Sequence, residues 1–279
     1  MNLVITGATS GIGVETVKAL APSCKTIFLL VRNIDRAEEL VAQWAEEGHT
    51  CSFHVILCDL SELKTVVAAT EQVKALCPRL DVLINNAGGI FKDRQTTKDN
   101  LEWAFSINHL GHFLLTKRLM PLLLASKTAR IINVSSDAHK VAQPDMADLQ
   151  STKAYNPLKV YANVKLFNIL FTRSLAERYG SQGVFAFALH PGVVRTNFGS
   201  GFTGVVRLGM KIVKPFMISP EKGAATSVFL AQDPSVLQFN GGYFKKKKLS
   251  KTSTVATSVD LRNQLWEESE KLLRSKGFE

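Results

Sequence analysis

Six short apolar runs recur along the chain, with amphipathic stretches between them. They are Leu3-Val4-Ile5, Thr26 to Val31, Ser52 to Leu57, Val82-Leu83-Ile84, Arg130 to Val134 and Val184 to Leu189. The run Thr26-Ile27-Phe28-Leu29-Leu30-Val31 shows no alternation, which predicts a strand covered on both faces and so a parallel sheet. Gly242-Tyr243-Phe244 adds a last short strand, for about seven in all. Helices are predicted from Val14 to Leu20, Asp35 to Gly48, Ser61 to Cys77 and Leu101 to Ala125. Others follow from Pro157 to Tyr179, Pro220 to Gln232 and Asp260 to Lys276. Asp35 is expected near the cap of the second and Gly48 at its stop. Pro78 ends the third, and Asn156-Pro157 reads as N-cap and first turn of the fifth. Apart from the strand–helix alternation there is no internal repeat. The expectation is one α/β domain over residues 1–245, with a linker and helix over 246–279 packed on the same domain.

The 279 residues and 46% hydrophobic content suffice for one large core, and 21% charged residues argue against wholesale disorder. A formal net charge of +10 suits a phosphorylated small molecule, a nucleic acid or an anionic membrane, and does not choose among them. Cys24, Cys51, Cys58 and Cys77 have no CxxC spacing and read as reduced, mostly buried thiols. No cationic-then-apolar leader opens the chain, and no apolar run approaches the roughly 18 residues that cross a bilayer. The expected location is cytoplasmic, with at most a weak peripheral membrane contact.

Candidate chemistry begins at Thr6-Gly7-Ala8-Thr9-Ser10-Gly11-Ile12-Gly13, between the first strand and the first helix. Gly7 permits the tight turn, Gly11 a close approach to phosphate, and Gly13 close packing of helix on strand. The bare N–H groups at the helix start then face an anion, as in a dinucleotide cradle. A glycine-rich turn is otherwise only a turn, and the flanking strand and helix supply the context. The second strand ends in Arg32-Asn33. An acidic residue there would take ribose hydroxyls and repel a 2′-phosphate, whereas arginine can fork onto one. This favours NADP over NAD, with a plain surface arginine as the alternative. Asp59, followed by Leu60, would cap a helix, meet an adenine, or both. Asn85-Asn86-Ala87-Gly88 suits a loop pressed on a ligand or an ordinary turn.

Asn108 sits mid-helix, where asparagine is disfavoured. His109 and His112 have no carboxylate or thiol partner nearby, so no metal is expected. Ser135-Ser136 ends the fifth strand, at the edge where open α/β sheets bind ligands. The long polar stretch from Asp137 to Asn156 reads as a functional loop. Tyr161 and Lys165 lie one turn apart on one helix face, a pairing that elsewhere is usually a solvated face. His190-Pro191-Gly192-Val193-Val194 follows the sixth strand. Residues 197–219 are glycine-punctuated, apolar and basic, as in a lid over an apolar pocket or a surface helix on the core. Lys245 to Lys248 reads as a solvated turn, with anionic lipid as the lesser reading.

Taken together, Thr6-Gly-x-x-x-Gly-Ile-Gly13, Asn85-Asn-Ala-Gly88, Asn108, Ser136, Tyr161-x-x-x-Lys165 and Pro191-Gly192 resemble the short-chain dehydrogenase/reductase family, from Asn2 to about Phe244. Val134-Ser-Ser136 with Ala138-His139, Leu170 to Arg173, and His190-Pro-Gly-Val-Val-Arg195 resemble its retinol dehydrogenase and WW-domain-oxidoreductase branch. The resemblance implies a single Rossmann-type, doubly wound domain. Its implied cofactor is NADP(H), with NAD(H) as the less favoured choice, and its implied reaction interconverts an apolar aldehyde or ketone with its alcohol. Tyr161 would be general acid or base, with Lys165 lowering its pKa and holding the nicotinamide ribose. Ser136 would bond the substrate oxygen, and Asn108 would hold a relay water. The Pro191, Gly192 and Val194 turn and Thr196 would seat the nicotinamide. The cradle residues Gly7, Thr9, Ser10, Gly11, Ile12 and Gly13, with Arg32, Asn33, Asp59, Leu60, Asn86, Ala87 and Gly88, complete the implied cofactor site. The implied partner is a small molecule rather than nucleic acid. Relatives are often dimers or tetramers, and the sequence fixes no oligomeric state. The rival reading is a regulator or scaffold that binds NADP(H) without turnover.

Overall fold

In the computed structural model, residues 1–194 and 217–278 are described. Thr196 and the 197–216 part of the expected lid lie outside them. Strands β1 (Asn2–Thr6), β2 (Thr26–Val31), β3 (Ser52–Leu57), β4 (Val82–Asn85), β5 (Ala129–Val134), β6 (Val184–His190), β7 (Tyr243–Lys245) and β8 (Lys248–Leu249) form one sheet. Its order is β3-β2-β1-β4-β5-β6-β7-β8. Every pair is parallel except β7 with β8. The sheet therefore has eight strands rather than about seven. The lysine run is the turn of a terminal hairpin, with Lys246 and Lys247 at φ 50° and 62°. No Asn-Gly pair announces that turn, so the sequence hides it.

Alternate residues of the central strands enter two separate cores. Leu3 and Ile5 of β1 face helices α1 (Gly11–Leu20), α2 (Ile34–Glu46) and α7 (Pro220–Gln232). Val4 faces α3 (Leu63–Leu76), α5 (Gly111–Leu124) and α6 (Pro157–Tyr179). Burial on both faces is what the unalternating apolar runs demand. The strand order reverses between β1 and β4. Their carboxyl ends, Thr6 and Asn85, thus open onto the crevice where such sheets take ligands.

Several helix ends differ from expectation. Asn33 caps α2, its Oδ1 accepting from the Arg36 N–H at 2.9 Å, with Asp35 near that cap in the first turn. Gly48 follows the helix at φ 88°, in open space. Helix α3 has no side-chain cap of its own, and distant Asp99 accepts the Leu63 N–H at 2.8 Å. The expected 101–125 helix is broken into α4 (Trp103–Phe105), a π-turn at Ser106–Leu110, and α5. The 137–156 stretch contains two 3₁₀ turns, Asp137–Val141 and Met146–Asp148. Gln150 and Tyr155 moor it to the 91–102 segment, through the Glu102 N–H and the Phe91 carbonyl.

Helix α8 (Val259–Ser275) lies across α5 and α6. Trp266 packs edge-on against Phe113 at 4.9 Å, and the Arg178 guanidinium covers its ring at 4.3 Å. His109 Nε2 bonds Ser269 Oγ at 2.8 Å in the buried interface. Burial, followed by the neighbouring His112, pulls the His109 pKa down to about 3, so the ring is neutral. Among the described residues no helix is long and apolar enough to cross a membrane.

Candidate active site

The glycine turn is shaped by steric demands at Gly7 and Gly13. Gly7 has φ 68°, and a Cβ there would stand 2.9 Å from Ala87 Cα. A Cβ on Gly13 would stand 2.1 Å from the Gly7 carbonyl oxygen, so α1 sits directly on the turn only because Gly13 has none. Gly11 also has a left-handed backbone, at φ 51°. Ser10 precedes α1 without a side-chain cap bond, and exposed Ser10 and half-buried Thr9 border the helix start. The first N–H groups of α1, at Gly11 and Ile12, are thus left for an anion.

Asn86 and Ala87 are tied to this turn. Asn86 Nδ2 donates to the Thr6 carbonyl at 2.8 Å and to the Gly7 carbonyl at 3.1 Å. The Asn86 and Ala87 N–H groups both donate to Thr6 Oγ1 at 3.0 Å. Having accepted two bonds, the Thr6 hydroxyl gives its own proton to His112 Nε2 at 2.9 Å. Burial pulls the His112 pKa down to about 3, which agrees with that acceptor role. The histidine pair of the sequence thus serves two separate structural bonds, His109 to α8 and His112 to β1. Thr6 and His112 were not foreseen as site residues. The threonine heading the glycine motif was the available signal.

Gly88 leads from the turn to the polar centre. A Cβ on it would stand 2.5 Å from Asn108 Oδ1 and 3.1 Å from Lys165 Nζ. Asn108 lies in the π-turn, a distortion that frequently marks functional sites. Its Nδ2 donates to the Gly89 carbonyl at 3.0 Å and the Ala104 carbonyl at 2.9 Å, while Oδ1 accepts from the Gly89 N–H at 3.1 Å. Both amide protons are spent on the protein, so a water at Asn108 would be met by carbonyl oxygen alone.

Helix α6 carries Tyr161 and Lys165 into the same centre. The Ser136 hydroxyl, two residues past β5, is within hydrogen-bonding reach of the Tyr161 phenol and lowers its pKa. Ser135 is directed elsewhere: it is buried and donates to the Lys165 carbonyl at 2.6 Å. The geometry thus separates the two serines. Lys165 Nζ donates to the Val134 carbonyl at 3.1 Å and stands 5.5 Å from the centre of the Tyr161 ring. Burial pushes the Tyr161 phenol up to about 12, opposed only by the Ser136 bond. Burial pulls Lys165 down to about 8. Lysine was expected to lower the tyrosine pKa. In this arrangement desolvation dominates the phenol, and the ammonium is itself buried and turned toward Val134.

The remaining sequence candidates line the same sheet edge. Pro191, Gly192 and Val194 leave β6; Gly192 has φ 99°, and a Cβ there would stand 2.6 Å from Ile218 Cδ1. Val194 and Ile12 approach each other across Gly223, whose added Cβ would stand 2.7 and 3.1 Å from their side chains. Arg32 is exposed at the end of β2 and has no hydrogen bond or ion pair with another described residue. Asn33 spends its Oδ1 on the α2 cap. Asp59 Oδ1 holds the Ser61 N–H and hydroxyl at 2.9 and 2.7 Å, so it shapes the turn before α3 without capping the helix. Leu60 is buried, and its carbonyl accepts from Ser106 Oγ at 2.9 Å. An open groove of about 720 Å³ between α1 and α7 lies elsewhere, and neither Ser136 nor Tyr161 lines it.

A doubly wound sheet with a glycine cradle and a half-buried serine and tyrosine beside a buried lysine defines a nucleotide-binding enzyme of the dehydrogenase type. The family model for short chain dehydrogenase matches residues 1–204, and the chain belongs to that family of oxidoreductases. It is 36% identical to retinol dehydrogenase 12 of Homo sapiens over 271 residues, covering 97% of this chain and 85% of the relative. Retinol dehydrogenase 14 of Mus musculus is 37% identical over 282 residues, covering 96% and 84%. Among solved structures, an uncharacterized protein from Mycobacterium paratuberculosis superposes with a TM-score of 0.78 at 29% identity, covering 98% of this chain and 93% of that one.

Proposed function

We propose that the chain interconverts an apolar aldehyde or ketone and its alcohol with NADP(H). The observation that carries this is the approach of the Ser136 hydroxyl to the Tyr161 phenol, with the Lys165 ammonium buried one helical turn along, 5.5 Å from the ring centre. The names of the relatives, retinol dehydrogenases, support an apolar substrate.

The residues fit a dinucleotide. The Gly7, Gly11 and Gly13 turn with its uncapped helix suits the pyrophosphate, flanked by Thr9, Ser10 and Ile12. Gly88 keeps open the space beside Lys165 and Asn108 that any side chain would fill. Asn86, Ala87, Pro191, Gly192 and Val194 would flank the nicotinamide end, with Lys165 on its ribose hydroxyls and Thr196 beyond the described residues. Asp59 Oδ2 and Leu60 would meet the adenine, and Arg32, with Asn33 behind it, the 2′-phosphate. When bound, the cofactor supplies or accepts the hydride.

In reduction, Ser136 stabilises charge gathering on the carbonyl oxygen, and Tyr161 gives that oxygen its proton. Lys165, while cationic, favours the phenolate left behind. Asn108 keeps the Gly88-Gly89 turn in place and offers carbonyl oxygen to a water on the return path of the proton. In oxidation the same groups act in reverse, with Tyr161 as base.

The cofactor assignment is tested by titrating the protein with NADPH and NADH before and after Arg32→Ala. NADPH should bind more tightly to the wild type. The substitution should weaken it about 10- to 100-fold, equivalent to about 1.5–3 kcal/mol for hydrogen bonds to a charged group. NADH binding should be unmoved. Equal affinities, unchanged by the substitution, would make Arg32 a surface charge and favour NAD-linked alcohol oxidation.

A further inference from the structure

Ser136 stands at the start of a 3₁₀ turn, Asp137–Val141, and its neighbours are held from outside that turn. The Asp137 N–H donates to His190 Nδ1 of β6 at 3.3 Å. Asp137 Oδ1 accepts from the Tyr243 hydroxyl of β7 at 2.9 Å, and Oδ2 accepts from Lys245 Nζ, the last residue of β7. Lys140, on the same turn, approaches Oδ1 at 3.2 Å. Two residues on, His139 is fixed at both nitrogens. Nδ1 donates to the Ser136 carbonyl at 2.7 Å, and Nε2 accepts from the Ser253 N–H at 3.2 Å. That pattern makes His139 neutral, and its ring packs edge-on against Tyr243 at 4.9 Å. Hence the segment carrying Ser136 is gripped by β7 and by the strap that follows the terminal hairpin.

The charges here are balanced. Burial alone would raise the Asp137 pKa. The bonds from Lys245, Tyr243 and Lys140 override it and hold the carboxyl well below its usual range. Tyr243 is buried, and burial followed by the Asp137 charge pushes its phenol above its usual range, so it remains a neutral donor. The charge of a Tyr161 phenolate would also raise the Tyr243 pKa, the last of the causes acting on it. The lysine run is therefore not wholly a solvated turn: Lys245 is turned inward to Asp137, while Lys246, Lys247 and Lys248 are exposed.

We propose that Asp137 is a positioning residue for the reaction: clamped by Tyr243 and Lys245, it fixes the turn that aims Ser136 at Tyr161 and cancels the Lys245 charge behind that pair. The proposal rests on the roles given above to Ser136 and Tyr161. It has a signed consequence. Asp137→Asn keeps the side-chain shape but leaves the Lys245 cation unbalanced, which favours phenolate and lowers the Tyr161 pKa. Lys245→Met leaves the carboxylate with the Tyr243 hydroxyl and Lys140 as its one remaining cation, and raises the Tyr161 pKa. Arg173 on α6 and neutral His139 also act on this cluster, and His190 on β6 follows it: its pKa is raised by Asp137 and lowered by Lys245, so it stays the more firmly neutral in Asp137→Asn.

The experiment is a pH titration of the full chain labelled with ¹³C-tyrosine, the Tyr161 signal being assigned by its loss in Tyr161→Phe. Alongside it, NADPH binding is measured by fluorescence, and kcat and KM with NADPH and decanal as probe. The expected result is opposite shifts of the Tyr161 titration, down in Asp137→Asn and up in Lys245→Met. In both, kcat should fall about tenfold or more through misplacement of Ser136. NADPH affinity should stay within about twofold, and Lys245→Arg should recover kcat. Shifts in the same direction, or none, together with wild-type kcat would overturn the proposal. Should Asp137→Asn fail to fold, Lys245→Met and Lys245→Arg carry the same test from the partly exposed side of the pair. Retained turnover in Tyr161→Phe would instead defeat the catalytic reading itself. An inactive Tyr161→Phe beside wild-type-like Asp137 and Lys245 variants would defeat only the positioning role.

Discussion

Tyr161→Phe is expected to cut turnover by about 100- to 10,000-fold, the range for losing a positioned general acid–base group, while NADPH affinity stays within about twofold. The substitution removes one oxygen and leaves the ring, so packing on α6 is kept. The hydroxyl it removes is the one within reach of Ser136. Steady-state rates and a fluorescence titration check the two halves separately. The pH dependence follows from the same pair. With the phenol pushed up to about 12, Tyr161 stays protonated through the neutral range and is ready to act as an acid. Lys165, pulled down to about 8, loses its charge above that pH and with it the support for a departing phenolic proton. Carbonyl reduction should therefore hold steady below about pH 8 and decline above it, whereas alcohol oxidation, which needs phenolate, should gain as pH rises. A reduction rate that climbs steadily from pH 7 to 10 would contradict this order of protonation.

Gly13→Ala should be the most damaging single change in the cradle. The added Cβ would stand 2.1 Å from the Gly7 carbonyl oxygen, and that atom is main chain, so no side-chain rotation relieves the clash. Either α1 lifts from the turn or Gly7 shifts, and both displace the N–H groups meant for phosphate. The expected outcome is a stability loss of about 1–3 kcal/mol, or more, of the kind seen for overpacking. NADPH binding should weaken beyond about 100-fold, corresponding to about 2.7 kcal/mol. Denaturant unfolding and the same fluorescence titration read these. Gly48→Ala is the control: its Cβ meets open space, so it should cost only the backbone strain of a side chain at φ 88°, about 1–2 kcal/mol, and leave binding untouched. Wild-type affinity in Gly13→Ala would remove the glycine turn from the cofactor site.

Much of this architecture was legible because it is written locally. A parallel strand buried on both faces must be apolar throughout, as Thr26 to Val31 is, and the Asn156-Pro157 start of α6 needs only two neighbouring residues. Reading failed where distant groups decide. Nothing near Ser61 shows that Asp99 serves the start of α3, and nothing in Lys245 to Lys248 shows that the first lysine turns in to Asp137 while the next two make a hairpin. Asn33 and Asp35 are both good caps, and only the backbone angle at Asn33 chooses between them. At the site, the order of Asn108, Ser136, Tyr161 and Lys165 was visible through resemblance. Resemblance also preferred Ser136 to Ser135, but the physical cause was hidden, because it depends on which hydroxyl faces the Lys165 carbonyl across to α6. The strength of burial around Tyr161 was equally out of reach. Desolvation is a property of the packed molecule, and the spacing of Tyr161 and Lys165 points to the opposite shift.

The most direct test of the account is to follow the hydride itself. The protein would be incubated with NADPH carrying deuterium at the nicotinamide C4 position and a panel of apolar aldehydes and ketones, and the products analysed by mass spectrometry. The account predicts an alcohol with one deuterium on its carbinol carbon, formed by the wild type and missing with Tyr161→Phe. Labelled alcohol formed equally by both proteins, or no labelled alcohol from any carbonyl despite tight NADPH binding, would contradict it.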